Sequence, residues 1–310
     1  MEVNPQSNKC LIVVVGPTGI GKTDLAITLA KRLKTEIISA DARQVYQGMC
    51  IGTAQPSKEQ LQIVKHNFVN CLPIETLYSA GQFATETLRL METLFQHYPT
   101  LVMVGGSGLY IKAVCEGLDT MPTIPLQVRA HFNQRFKKEG VQALAYELST
   151  LDPIYYQQVD VHNPQRIIRA LEVIKTTGKP YSTWRVSNSH ATPRPFQTIY
   201  IGLDMERKAL YERINQRVDA MMEQGLYQEA IDLYPYRDYN SLQTVGYQEI
   251  FQHLAGQHSL QEAIALIKRD SRRYAKRQLT WFRKQKDITW FYPTEVEAIM
   301  QHIVASMHMV

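Results

Sequence analysis

The chain has 310 residues, 45% hydrophobic and 20% charged, which is ample for a packed core and excludes a disordered chain. Its net charge of +5 permits an anionic partner without naming one. Cys10, Cys50, Cys71 and Cys115 stand apart with no Cys-x-x-Cys pair, and the polar first ten residues lead into only five apolar ones. That pattern predicts reduced thiols in a cytoplasmic protein, with neither a secretory leader nor a membrane span; a monomer is the separate expectation.

In chain order, "LIVVV" (11–15), "EIIS" (36–39), "LVMVGG" (101–106) and "IYIGLD" (199–204) read as buried parallel strands. A helical pattern follows each of the three longer runs, so the expected fold is α/β, a parallel sheet flanked by helices around a phosphate-binding loop. Chemistry on such sheets sits at the carboxyl ends of the strands, here the loops after residues 15, 39, 104 and 203. Between 119 and 197 no strand-like run appears. Prolines mark both edges, and "VQALAYELSTLDP" and "NPQRIIRALEVIKTTG" read as helices, the second with Pro at its start and Gly at its end. This predicts a core of 1–118 and 198–310 with an all-helical insertion at 119–197. Long helices are expected over 205–233 and 260–286.

The first loop, "GPTGIGKT", spans residues 16–23. Gly16, Gly19 and Gly21 let backbone N–H groups converge on phosphate oxygens, with Pro17, Thr18 and Ile20 completing the turn. Lys22 adds a cation, and the Thr23 hydroxyl is suited to a Mg²⁺ bridging two phosphates. Binding of a di- or triphosphate follows; ATP hydrolysis does not. A hydrolase also needs an acidic residue at a neighbouring strand end. "LVMVGG" ends in glycines there, and Asp204 is equally readable as a helix cap.

The second loop, "SADARQVYQGMCIGT", carries Asp41, Arg43, Gln44 and Tyr46. Asp41 falls at a strand's carboxyl end, suited to accept a proton, and Gln44 pairs a donor and an acceptor suited to a base edge. The same residues also read as a solvated turn capped by Asp41. Ser107, in "GGSGLY", reads either as a ligand-binding hydroxyl or as a helix cap.

Seven blocks occur in this order: "GPTGIGKT", "ISADARQVYQGMCIGTAQP", "GGSGLY", "NPQRIIRALEV", "LYERINQRVDAMMEQGL", "LQTVGYQEI" and "YAKRQLTWFRK". Together, from about residue 11 to residue 284, the chain resembles the tRNA dimethylallyltransferases, also called tRNA isopentenyltransferases, in their shorter bacterial form. The resemblance implies that the loop at 16–23 holds the diphosphate of dimethylallyl diphosphate with Mg²⁺. The prenyl group would pass to N6 of the adenosine 3′ of the anticodon, in tRNAs reading codons that begin with U. It also implies Asp41 as general base, Ser107 where the family commonly has Thr, and Arg217 as the arginine neutralising the leaving diphosphate, with Arg213 one turn away. Contacts to the tRNA anticodon stem-loop are implied for Asp41, Ala42, Arg43, Gln44, Ser107 and Arg129, and for Gln165, Arg166, Ile167, Ile168 and Arg169. The helical insertion becomes the clamp on that stem-loop. Ala42 departs from the family, which usually has Ser there.

The segment "KRDSRRYAKRQLTWFRKQK" holds nine Lys or Arg between 268 and 286 with Tyr274, Trp281 and Phe282 interleaved. Basic side chains there would contact phosphates while the aromatics pack inward. Three other classes stay open. A nucleotide or small-molecule kinase would turn over ATP; a prenyltransferase acting on free AMP or ADP would need no clamp. A GTPase-like switch would need an Asn-Lys-x-Asp, which occurs nowhere in the chain.

Overall fold

Six strands build the sheet: β1 (Cys10–Val15), β2 (Ile37–Ser39), β3 (His66–Asn67), β4 (Thr100–Gly105), β5 (Gln197–Leu203) and β6 (Ile288–Phe291). The structure is a computed structural model, and it describes residues 9–119, 121–185 and 193–307. All neighbouring strands pair in parallel, in the order β3-β2-β4-β1-β5-β6. Strands β1, β2, β4 and β5 match the four apolar runs. The two edge strands β3 and β6 carry no sequence signal of comparable length.

β1 shows why a continuous apolar run belongs at the centre of such a sheet. Leu11, Val13 and Val15 pack with Phe83, Met91, Ile111 and Val114 on one face. Ile12 and Val14 pack with Leu25, Leu29, Ile214 and Ala275 on the other. All five strand residues are fully buried. Each such side chain contributes about 1.5–3 kcal/mol relative to an exposed one. Period-two alternation would leave one of these faces polar.

The register positions the site. Val15 of β1 lies opposite Gly105 of β4, and Ser39 of β2 lies opposite Val104. The three strands therefore end nearly level, and Ala40 N–H donates to the Val104 carbonyl at 2.7 Å. The loops after β1, β2 and β4 emerge side by side.

The chain divides into two compact units, one formed by 1–116 with 193–310 and the other by 117–192. Residue 120 and residues 186–192 of the expected insertion lie outside the described residues. The second unit contains the helices Leu126–Leu151, Pro153–Tyr156 and Pro164–Thr177. Asn163 caps the last through the Arg166 N–H, and Gly178, with φ 69°, ends it as the sequence predicts. Phe132, Leu144, Leu148, Ile167 and Leu171 form its core. In the first unit the expected helix over 205–233 is two, Arg207–Glu223 and Leu226–Leu233, separated at Gly225 with φ 102°. Among the described residues no helix is long and apolar enough to cross a membrane.

Candidate active site

The loop after β1 turns into the helix Lys22–Leu33 through Gly21, whose φ of 102° belongs to the left-handed region. No side chain caps this helix, so its first N–H groups point into the loop's concavity. Lys22 Nζ donates to the Pro17 carbonyl at 2.8 Å, folding back over the loop. Burial, and then the positive charge of Arg217, bring the Lys22 ammonium down to about 7, while Asp41 acts in the opposite sense. Arg217, on the helix Arg207–Glu223, reaches the same place: its Nη1 lies 3.5 Å from Thr18 Oγ1. Burial lowers its pKa too, and Asp41 again opposes the shift. Arg213 accompanies it, its Nη2 about one van der Waals contact (3.5 Å) from where a Cβ on Gly21 would be. Two half-buried cations and uncapped N–H groups facing one concavity make an anion site.

Asp41 stands beside this anion site. Its Oδ1 accepts from Arg43 N–H at 2.9 Å and Gln44 N–H at 3.3 Å, so the capped-turn reading is right for that oxygen. Among the described residues no protein hydrogen bond falls on Oδ2, which leaves this oxygen free to accept from another group. Ser107 Oγ accepts from Ala42 N–H at 2.9 Å, joining the loops after β4 and β2. Its side chain makes no cap for the helix Gly108–Cys115. The Ala42 backbone thus meets Ser107 although its side chain offers nothing polar. Tyr274, unassigned by the sequence beyond inward packing, lies close enough that burial and then the Asp41 charge push its hydroxyl up to about 12.

Several expected contacts are already spent within the protein. Gln44 Nε2 donates to the Thr53 and Ala54 carbonyls at 3.2 and 2.9 Å, and its Oε1 accepts from Ser39 Oγ. Its amide therefore shapes the loop and does not present itself to a base edge. Arg43 donates to the Asn240 and Gln243 carbonyls. Arg129 makes a two-bond pair with the buried carboxylate of Glu172, at 3.0 and 3.2 Å, and Arg169 Nη1 lies 3.7 Å from the same group. Ile167 and Ile168 are buried core residues with no side-chain surface for RNA. Gln165 and Arg166 are exposed. Asp204 neither caps a helix nor faces the anion site: Glu206 is the cap, and Asp204 pairs with Arg283 at 2.6 Å.

Sequence reasoning missed two groups that hold this geometry. Glu229 accepts from the Ile51 and Gly52 N–H groups and from the Tyr247 hydroxyl, fixing the loop on which Gln44 leans. Gln278, from the basic helix Leu260–Phe282, accepts from Thr18 N–H at 2.8 Å and donates to the Gly106 carbonyl at 3.0 Å. One signal for it was available. Ala275, Gln278 and Phe282 follow helical spacing along the buried stripe, and a polar residue on such a stripe requires partners. Trp281 corrects an expectation: it is 37% exposed, and a Cβ on Gly108 would lie 2.1 Å from its Nε1, so it covers that glycine without entering the core.

The model of the IPP transferase family matches residues 44–285. The chain belongs to the tRNA dimethylallyltransferase family. A tRNA dimethylallyltransferase 1 of Phocaeicola vulgatus is 47% identical over 298 residues, 96% of this chain and 99% of the relative. The tRNA dimethylallyltransferase of Cytophaga hutchinsonii is 46% identical over 97% of this chain and 98% of its own. Among solved structures, the full-length tRNA isopentenylpyrophosphate transferase of Bacillus halodurans superposes with a TM-score of 0.70 at 38% identity, each chain covered to 97%. A eukaryotic dimethylallyltransferase acting on tRNA gives 0.78 at 25% identity, over 96% of this chain and 78% of its own. The family membership places the two half-buried cations and Asp41 in a transferase, in keeping with the glycines that end β4 where a hydrolase would carry an acid.

Proposed function

We propose that the chain transfers the dimethylallyl group from dimethylallyl diphosphate to N6 of the adenosine 3′-adjacent to the anticodon, in tRNAs reading codons that begin with U. The observation that carries this reading is the convergence of Lys22, Arg217, Asp41 and Ser107 at three adjacent strand ends. The glycine loop and its cations suit a diphosphate, which departs as the leaving group. The adenine amine is a weak nucleophile, and Asp41 Oδ2 accepts its proton as N6–C bond formation and C–O cleavage proceed. Lys22, Arg217 and the loop N–H groups meet the charge that develops on the leaving oxygens.

The donor set fits Mg²⁺ in a restricted way. No protein hydrogen bond engages the Thr23 hydroxyl among the described residues, and they contain no cluster of three His, Cys, Asp or Glu side chains suited to a metal. Thr23 would hold the ion together with diphosphate oxygens and water, a usual arrangement for this cation. When bound, it supplies charge neutralisation to the diphosphate.

Tyr274 and Trp281, beside Asp41 and Gly108, offer aromatic surfaces to a base turned out of the anticodon loop. The helical unit and the basic helix account for a macromolecular acceptor in preference to free AMP. The test uses labelled dimethylallyl diphosphate, Mg²⁺ and an unmodified anticodon stem-loop. Label in the RNA is expected. Label in AMP alone, or ATP consumption without transfer, would replace this reading with the free-nucleotide enzyme or the kinase.

A further inference from the structure

Among the described residues, Gln278 is the one side chain that hydrogen-bonds to both the phosphate loop and the loop after β4. It is 6% exposed. Its Oε1 takes the Thr18 N–H, in the loop that carries Lys22, and its Nε2 gives a proton to the Gly106 carbonyl, one residue before Ser107. Ser107 Oγ in turn takes the Ala42 N–H, next to Asp41. Three hydrogen bonds, joined by the Gly106–Ser107 and Asp41–Ala42 peptide links, connect the anion site to the proton acceptor. Gly106 is fitted to this arrangement, because a Cβ there would lie 2.1 Å from Gln278 Nε2.

We propose that Gln278 is a positioning residue that holds the diphosphate loop in register with the Asp41–Ser107 half of the site, so that donor carbon and acceptor amine meet at reacting distance. The inference rests on the reading of the phosphate loop as a diphosphate site. A planar amide suits the task, since it satisfies one donor and one acceptor at fixed separation and spends both of its polar ends doing so. Pairing of Val15 with Gly105 brings the two loops level at their roots, and the Gln278 amide then ties Thr18, further along the first loop, to Gly106 in the second. Thr18 N–H is committed to the helix Leu260–Phe282 through Gln278 Oε1, and among the described residues no other side chain hydrogen-bonds to both loops. That helix also carries the exposed cations Lys276 and Arg277 immediately before the buried amide. RNA held on that surface and diphosphate held in the loop are therefore referred to one rigid element.

The test compares wild type with Gln278→Met, which keeps side-chain volume and removes both hydrogen bonds, and with Gly106→Ala, which displaces the amide from the opposite side. Three quantities are read: affinity for inorganic diphosphate with Mg²⁺, kcat, and KM for the stem-loop. Misplacement of reacting groups by an ångström predicts a fall in kcat of about 10- to 100-fold in either variant. Diphosphate affinity falls by about tenfold, while KM for the stem-loop stays within about threefold, because the RNA-facing cations are untouched. The double variant is no worse than the poorer single one, since both break the same link. If Gln278→Met does not fold, Gly106→Ala alone carries the comparison. Wild-type values in both variants would overturn the proposal. So would a loss confined to the stem-loop KM, which would make Gln278 an RNA reader, and so would losses that multiply in the double variant. Failure of the wild type to bind inorganic diphosphate would overturn the diphosphate reading itself, and that outcome is seen before any variant is made.

Discussion

Asp41 performs two jobs that a substitution can separate. Its Oδ1 fixes the turn through Arg43 and Gln44 N–H groups, and the proposed chemistry uses the carboxylate as a base. Asparagine preserves the first job and loses the second. Asp41→Asn is expected to lower kcat by about 10²- to 10⁴-fold with diphosphate affinity little changed. Asp41→Ala should add a loss of acceptor binding; kcat near wild type in Asp41→Asn would move the base elsewhere. Lys22 offers a second handle. Burial and the neighbouring Arg217 hold its ammonium down to about 7, against an ordinary 10.5. Diphosphate favours the charged form, so binding at pH 8 is expected to take up a proton that binding at pH 6 does not. Calorimetry in two buffers of different ionisation enthalpy reads that uptake, and Lys22→Met should remove the difference between the two pH values. For folding, the depressed pKa means the unfolded chain binds more protons between about 7 and 10.5. This group therefore opposes folding in full below about 7, and that penalty is relieved as pH rises toward 10.5. Asp41 and Lys22 were both legible in the sequence, because motif spacing fixes them to strand ends. Gln44 was not: its amide is spent on the carbonyls of Thr53 and Ala54, which only the folded loop brings near.

The insertion's helix Pro164–Thr177 shows how an element can carry a functional motif and a core at once. In "QRIIR" the two isoleucines face inward, while Gln165 and Arg166 stay exposed. Helical spacing distinguishes these faces, so burial of Ile167 and Ile168 was readable as periodicity even though the resemblance grouped all five residues as RNA contacts. Arg129 was not readable. Its partner Glu172 is 43 positions away in sequence and 1% exposed, and only packing of two helices brings the charges together. Glu172 is buried while Arg129 is exposed, so removing the arginine leaves a buried carboxylate short of its main partner, with Arg169 as partial relief. Arg129→Met is expected to destabilise the helical unit by about 2–3 kcal/mol, read as a shift of its denaturant midpoint. Arg129→Met with Glu172→Leu should recover most of that loss. If Arg129→Met instead weakens RNA binding with an unchanged midpoint, the arginine is an RNA contact after all. Edge strands were the other omission among elements. β3 has two residues and β6 four, too short for periodicity to register, and pairing with β2 and β5 is what makes them strands.

Across the whole molecule the excess positive charge is not evenly available. Nine Lys or Arg lie between 268 and 286 against one acid, Asp270, whereas the entire chain carries +5. The fold then neutralises part of that cluster. Lys268 pairs with Asp219, Arg269 and Arg273 share Asp270, and Arg283 pairs with Asp204. Lys276, Arg277, Lys284 and Lys286 make no ion pair among the described residues and lie exposed. Arg273, Lys276, Arg277, Thr280, Trp281 and Lys284 line a cavity of about 430 Å³ on this face. A phosphate backbone laid there would displace counterions chiefly from the unpaired cations, and each such contact contributes about 0.7–0.9 to the slope of log affinity against log salt. Lys276→Ala, Arg277→Ala and Lys284→Ala should each lower that slope by about this amount when stem-loop binding is measured over a series of salt concentrations. Lys268→Ala and Arg269→Ala should change it by much less, because their charges are already met within the protein. The paired and unpaired cations are interleaved on one helix and identical in chemistry, so a sequence-based count gives all nine equal weight. Equal slopes for all five variants would mean that the ion pairs open on binding, and an unchanged slope throughout would place the RNA on another surface.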